Sequence, residues 1–321
     1  MPTSTTSKRT TEIKSSKKGQ KAAVKGGKKA GKGKSSRPPL TAETADKHLL
    51  YQGAVQNVAA EIDFVDAQYK KARGKRARLL REDFCGTGHT SCEWVRRRED
   101  NEAFGLDIHG PTLRWGIKNN VGSLTPEQKK RVHLLQRDVR EPGEAVGVDC
   151  LLAMNFSYWL FQERQAMIDY LKLCRESLAD DGIFFMDFYG GSEAMTEVEE
   201  PRECERTAED VPEGHPIGDY TYVWDQHKYN PITGEMKCFI HFEFEDGSKM
   251  PRAFNYTWRL WTLPEMLDVL RDAGFPNPVV FWEGDELDED GEPTGEGDGV
   301  FKPAKSGDPC ESFICYIVCE K

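Results

Sequence analysis

The chain has 321 residues, 38% hydrophobic and 10% aromatic, with a mean hydropathy of -0.66 and a formal net charge of -10. That composition can build one large cored domain, and no apolar run approaches the roughly 18 residues of a membrane span. The N-terminus lacks the apolar centre of a secretory signal, and the nine cysteines include no Cys-x-x-Cys pair. A cytoplasmic chain with buried free thiols, no metal and no membrane partner is expected.

Charge is uneven along the chain. Residues 1–38 hold twelve Lys or Arg against Glu12 alone, which leaves residues 39–321 at about -21. A Lys-, Ser- and Gly-rich stretch with nothing to bury does not offset the entropy of ordering, so residues 1–40 are expected to be a disordered tail. Its charge admits nucleic acid as a partner through residues 1–38, or a solubilising role beside the acidic body. After Arg37-Pro38-Pro39, Leu49, Leu50, Val55, Val58, Ile62 and Val65 recur at helical intervals.

From residue 77 short apolar runs alternate with amphipathic stretches. Strands are predicted at 77–83, 102–108, 132–138, 148–155 and 182–188, with helices at 89–98, 110–119 and 162–178. That alternation argues for an α/β fold, a mostly parallel sheet with helices on both faces. The rhythm breaks at Tyr189-Gly190-Gly191. Runs at 221–229, 235–245 and 253–261, separated by turn signals, read as antiparallel strands of an insert over 192–261. A helix at 263–274 and strands at 277–283 and 312–320 resume the first pattern, so one domain over 41–321 holds the insert. The acidic segment 283–298 reads as a solvated loop. Its Glu286-x-Asp288-x-Asp290-Gly291 looks like the start of a calcium loop, but Gly297 stands where a bidentate Glu is needed.

The richest segment is Leu79-Leu80-Arg81-Glu82-Asp83-Phe84-Cys85-Gly86-Thr87-Gly88. A strand ends in acid, and a Gly-x-Gly turn opens a helix. Glycine there supplies dihedral freedom and leaves the backbone open to a ligand. Asp107 follows at the end of the next strand, about 20 residues past the glycines, where a carboxylate can accept from ribose hydroxyls. Together these point to an adenosine-containing cofactor across the carboxyl edge of the sheet. A dinucleotide site wants a third glycine, and Ser91 stands in that place. Acid beside the turn suits S-adenosylmethionine, which carries an ammonium and a sulfonium and no phosphate.

EDFCGTG resembles the first motif, E/D-x-G-x-G-x-G, of class I S-adenosylmethionine-dependent methyltransferases. Glu82 falls on the acidic position and Gly86 and Gly88 on the second and third glycines, while Phe84 replaces the first. GLDIHGPTL resembles the second motif, with Asp107 as ribose acid and Ile108 beside it. QRDVRE resembles the third, with Asp138 near the adenine amino group and Val139 beside the ring. VDCLLAMNFSYWLF resembles the fourth, with Asn155 at the strand edge. The resemblance covers residues 75–190 well and 263–321 more loosely. It implies a Rossmann-like seven-stranded sheet in the order 3-2-1-4-5-7-6, with strand seven antiparallel.

The resemblance implies in-line methyl transfer to an acceptor, for which the protein mainly aligns the partners and excludes water. The helix around Tyr51-Gln52 and the insert 192–261 are the expected lid, which favours a small-molecule O-, N- or C-acceptor. Alternatives are a nucleic-acid or protein methyltransferase tethered by the basic tail, a non-catalytic S-adenosylmethionine-binding module, and, more weakly, a nicotinamide oxidoreductase. Asn155-Phe156-Ser157-Tyr158 matches the Asn and Tyr of the [ND]-P-P-[YF] motif of amino-methyltransferases but lacks both prolines. Tyr158 and His109 are the candidates for catalysis. Tyr51, Tyr158, Trp159, Tyr256, Trp258 and Arg259 are the candidates for the acceptor wall, since alternate residues 254, 256 and 258 of a strand share one face. Arg259 points the other way, toward a substrate carboxylate or a structural acid.

Overall fold

The computed structural model describes residues 37–207, 211, 214–288 and 291–321. The Lys-rich tail through residue 36 lies outside them, as does Asp290 of the calcium-like pattern. The packed chain begins by Leu40, which is buried against Tyr220 and Phe242, with Pro39 bridged to Ile217.

Two helices open the domain. In α1 (Lys47–Val55) the Asp46 side chain accepts from the His48 amide, and in α2 (Val58–Arg73) Asn57 accepts from the Ala60 amide. Both caps satisfy amides that a helix start leaves unpaired. The alternating part then runs β1 (Leu79–Asp83), α3 (His89–Arg97), β2 (Glu102–Asp107), α4 (Gly110–Asn119), α5 (Pro126–Lys129), β3 (Val132–Gln136), β4 (Val148–Ala153), α6 (Arg164–Ser177) and β5 (Leu178–Gly190). Next come β6 (Val198–Arg206), β7 (Gly218–Tyr229), β8 (Glu235–Phe244) and β9 (Lys249–Arg259). The chain closes with α7 (Leu263–Asp272), β10 (Val279–Leu287), β11 (Pro293–Ala304) and β12 (Phe313–Glu320).

The main sheet has the order β11-β10-β12-β5-β4-β1-β2-β3. Strands β1 to β5 are parallel, and β12 is antiparallel to both β5 and β10. The seven expected strands thus stand in the expected order, and β11 adds an eighth. One face is covered by α2 and α3, which bury Ile62, Val65 and Trp94 against Leu80, Leu152 and Phe185. The other is covered by α6 and α7, which bury Met167, Leu171 and Val269 with Leu151, Phe184 and Ile317. Both faces of β4 and β5 are therefore apolar, as a covered parallel strand requires.

The insert is a four-stranded antiparallel sheet, β6-β7-β8-β9. Its inner face packs on α1, with Leu50 and Ala54 against Tyr220, Tyr222, Ile240 and Phe242. Two elements depart from the sequence reading. Strand β6, read as part of a polar stretch, is a charged edge strand with Pro201 in it and pairs only with β7. Most of its residues face solvent, so it shows no apolar alternation, and Pro is tolerated at an edge. The acidic segment 283–298 is not a loop but most of the β10–β11 hairpin, closed where the Asp288 amide donates to the Glu292 carbonyl and the Glu292 amide donates to Asp288 Oδ1, both at 2.9 Å. Its pairing is carried by the backbone, which a side-chain pattern does not reveal.

Candidate active site

Alternation along β1 sends its side chains two ways. Arg81 and Asp83 turn toward α6 and form a fully buried bidentate pair, Nε to Oδ1 at 2.7 Å and Nη2 to Oδ2 at 3.0 Å. Ser177 Oγ, the Val139 carbonyl and the Tyr170 hydroxyl complete its hydrogen bonds. Glu82 turns the other way. Its Oε2 accepts from the Ser91 amide at 2.9 Å and the Ser91 hydroxyl at 2.6 Å, which holds the carboxylate at the start of α3. Burial pushes its pKa up to about 7.

The turn after β1 is left-handed at Phe84, Gly86 and Gly88, with φ of 56°, 53° and 65°. A Cβ at Gly88 would lie 2.6 Å from Leu134 Cδ2, so glycine there lets α3 close on the sheet. Asp107 fixes the turn from the neighbouring strand. Its Oδ2 accepts from the Gly86 amide at 2.8 Å and its Oδ1 from the His109 amide at 2.7 Å. Helix α1 lies over the turn. Gln52 Nε2 donates to Thr87 Oγ1 at 2.8 Å, and Trp115 Nε1 of α4 donates to Asp46 at 2.7 Å.

Between these parts is a cavity of about 290 Å³. Glu82, Asp83, Phe84, Gly86 and Asp107 line its floor; His48, Tyr51, Gln56 and Phe254 are among the residues lining the rest. Gln56 Oε1 is buried there with no hydrogen-bond partner among the described residues. The lining contains no Lys or Arg.

At the end of β4, Asn155 and Phe156 are also left-handed, with φ of 57° and 54°. Asp187 of β5 holds both, accepting from the Asn155 amide at 2.7 Å and the Phe156 amide at 3.1 Å. Burial pushes the Asp187 carboxyl up to about 7. Glu61 of α2 is pushed up to about 7 by burial and by Asp187, and its Oε2 has no hydrogen-bond partner among the described residues.

Asn155 also lines a second cavity of about 520 Å³ beneath the antiparallel sheet. Its walls are Tyr189, Tyr222, Trp224, Tyr256 and Trp258, with Tyr51 from α1. Tyr256 and Trp258 stack with ring centroids 4.4 Å apart. The two cavities share Tyr51, Asn155 and Tyr256. The Tyr51 and Tyr256 side chains are hydrogen-bonded to each other at this junction, and burial holds both hydroxyls well above their usual pKa.

Known structures share this architecture. An amino pentose methyltransferase from Micromonospora echinaspora, solved with S-adenosylmethionine bound, is 15% identical, with 85% of this chain and 95% of that one covered and a TM-score of 0.57. A sugar N-methyltransferase from Streptoalloteichus sp. is 16% identical over 92% of this chain and 99% of its own, with a TM-score of 0.55. An S-adenosylmethionine-dependent methyltransferase from Clostridium acetobutylicum is 12% identical over 84% and 95%, with a TM-score of 0.56. The chain has the class I methyltransferase fold. No family model and no curated protein matches the sequence.

Within the methyltransferase fold the residues singled out by sequence divide into two groups. Glu82, Phe84, Gly86, Asp107, His109 and Asn155 line the smaller cavity, and Tyr51, Tyr256 and Trp258 line the larger. The others stand outside both linings. Gly88 packs beneath the turn, and Ile108 is 69% exposed beside Asp107. Asp138 is held by its own neighbour Arg140, with Nη2 to Oδ2 at 2.6 Å. Val139 is buried in the core, its carbonyl taken by Arg81. Tyr158 is fully buried, and its hydroxyl donates to the Asp187 carbonyl at 2.5 Å, so it is not poised at the cavity as a catalytic group. Trp159 is fully buried behind Trp258, with ring centroids 6.0 Å apart. Arg259 takes the structural alternative, pairing with Glu265 at 2.7 Å and donating to the Gln162 carbonyl.

Several lining residues escaped the sequence reading: His48, Gln56, Tyr189, Tyr222 and Trp224. Tyr222 and Trp224 alternate along β7, and that period of two within TYVWDQ was the available signal. His48 and Gln56 carried none, because their position depends on how α1 lies across the turn.

Proposed function

We propose that the protein transfers a methyl group from S-adenosylmethionine to a small-molecule acceptor held in the aromatic cavity. The junction carries this reading: an acidic cavity over a glycine turn opens to an aromatic cavity at Tyr51, Asn155 and Tyr256. The smaller cavity fits the cofactor chemically. Glu82 and Asp107, with no Lys or Arg in the lining, suit a ligand bearing an ammonium and a sulfonium, while Asp83 is already neutralised by Arg81. A dinucleotide would bring a pyrophosphate to the same carboxylates, which disfavours a nicotinamide reading. The unpartnered Gln56 Oε1 offers an acceptor for an ammonium N–H.

In this reading Asp107 takes the ribose hydroxyls, and Ile108 supplies an apolar cover for the adenine. Glu82 orders the turn through Ser91 and adds negative charge near the ammonium. The bound cofactor supplies a methyl carbon already activated by its sulfonium. The protein's own contribution is alignment and water exclusion. Asn155 stands between cofactor and acceptor, and Tyr51 and Tyr256 close the passage from above. Tyr256 and Trp258 form the acceptor wall. The basic tail has no part in this chemistry. The experiment is release of S-adenosylhomocysteine from S-adenosylmethionine with panels of small amines, phenols and sugars, for the full chain and for a chain lacking residues 1–36. Turnover with a small acceptor in both chains is expected. Turnover only with nucleic acid or protein, lost with the tail, would contradict the proposal.

A further inference from the structure

The larger cavity has a chemistry more specific than an apolar pocket. The rings of Tyr189, Tyr222, Trp224, Tyr256 and Trp258 line it together with the carboxyl-bearing residues Glu193, Glu199 and Glu200. Arg202 is the one cationic residue of the lining, and it is already engaged: its guanidinium lies 5.0 Å from the centre of the Tyr222 ring and donates to the Ala54 carbonyl. Glu193 and Glu200 both bear electrostatically on the Tyr189 hydroxyl, whereas at Tyr222 Arg202 outweighs Glu200, so the negative charge is concentrated at the Tyr189 end of the cavity. Aromatic faces and carboxylates attract the same kind of ligand. The ring quadrupole is negative at its face, and a cation partly removed from water gains from both. A neutral acceptor gains only burial here, and an anion meets repulsion.

We propose that the acceptor carries a protonated amine, held in this cavity by the ring faces of Trp224 and Tyr256 and by the carboxylate of Glu193. This rests on the methyl-transfer reading, since it takes the larger cavity as the acceptor site. It narrows the acceptor to cationic small molecules with an organic body large enough to cover the rings.

The test is a fluorescence titration of the full chain saturated with S-adenosylhomocysteine, read through Trp224 and Trp258. The probes are phenethylamine, phenethyl alcohol and phenylacetate at neutral pH. The amine should bind roughly tenfold more tightly than the alcohol, and phenylacetate most weakly. Glu193→Gln and Trp224→Leu should each narrow the gap between amine and alcohol, with S-adenosylhomocysteine affinity as the folding control. Equal or tighter binding of the alcohol or phenylacetate, or no binding of any probe, would overturn the inference while leaving methyl transfer standing. Absence of S-adenosylhomocysteine binding would overturn the methyl-transfer reading and this inference with it.

Discussion

Among the described residues four besides glycine adopt a left-handed backbone, and Phe84, Asn155 and Phe156 of these stand at the site. Such residues cost about 1–3 kcal/mol each and persist only where neighbours hold them. For Asn155 and Phe156 the holding group is the Asp187 carboxylate. Asp187→Asn leaves one acceptor oxygen for two amides. It should lower kcat for methyl transfer and destabilise the fold by about 1–3 kcal/mol, read by turnover and urea unfolding. An unchanged kcat would mean that the orientation of Asn155 does not matter. Asp107→Ala should weaken S-adenosylmethionine binding by about 1–3 kcal/mol in a calorimetric titration. At this scale the sequence was partly legible. Glu82, Gly86 and Asp107 sit at fixed offsets along one strand–turn–helix unit, and a motif can encode that. Asp187 reaches the site by register between β4 and β5, with Ala153 paired to Met186, and no local pattern announces it.

The central strands β4 and β5 could be read because both of their faces are covered, so apolar runs mark them. Within β1 that logic gives no sign of Arg81 and Asp83, which form a fully buried ion pair. Removing one charge of such a pair strands the other, so Arg81→Leu should cost about 3–5 kcal/mol in denaturant unfolding. A loss below about 1 kcal/mol would show that Asp83 is readily neutralised there. The edge strands β6 and β11 escaped notice for the opposite reason: their pairing is a matter of backbone, and their side chains are largely polar. Helix α1 was legible as a helix and expected as a lid. Its seat depends on single long-range bonds, Asp46 to Trp115 and Gln52 to Thr87. Asp46→Ala removes the helix cap and the tie to α4 together. A loss of about 0.5–2 kcal/mol in stability is expected, with weaker cofactor binding.

Across the whole molecule, charge and topology converge on the carboxyl edge of the sheet. Glu61, Glu82 and Asp187 all titrate at about 7 in the folded chain, against ordinary values of 4.5, 4.5 and 3.8. Between those limits the folded state binds more protons than the unfolded one. The ligand-free protein should therefore lose stability as pH rises from about 4 through 7. Thermal unfolding across that range checks the sign, and Glu61→Gln should flatten the slope. A cationic ligand favours the ionised carboxylates, so S-adenosylmethionine should bind more tightly at pH 8 than at pH 6. The overall α/β order was legible because alternation of strand and helix is a property of the entire chain. The aromatic cavity was only half legible, since it forms where α1, the ends of β4 and β5, and the inner face of the second sheet meet.

The most direct test of methyl transfer is parallel calorimetric titration of the full chain with S-adenosylmethionine, S-adenosylhomocysteine and NAD. Micromolar binding of the first two and none of NAD is expected. Binding of NAD, or no binding of either adenosyl ligand, would contradict it.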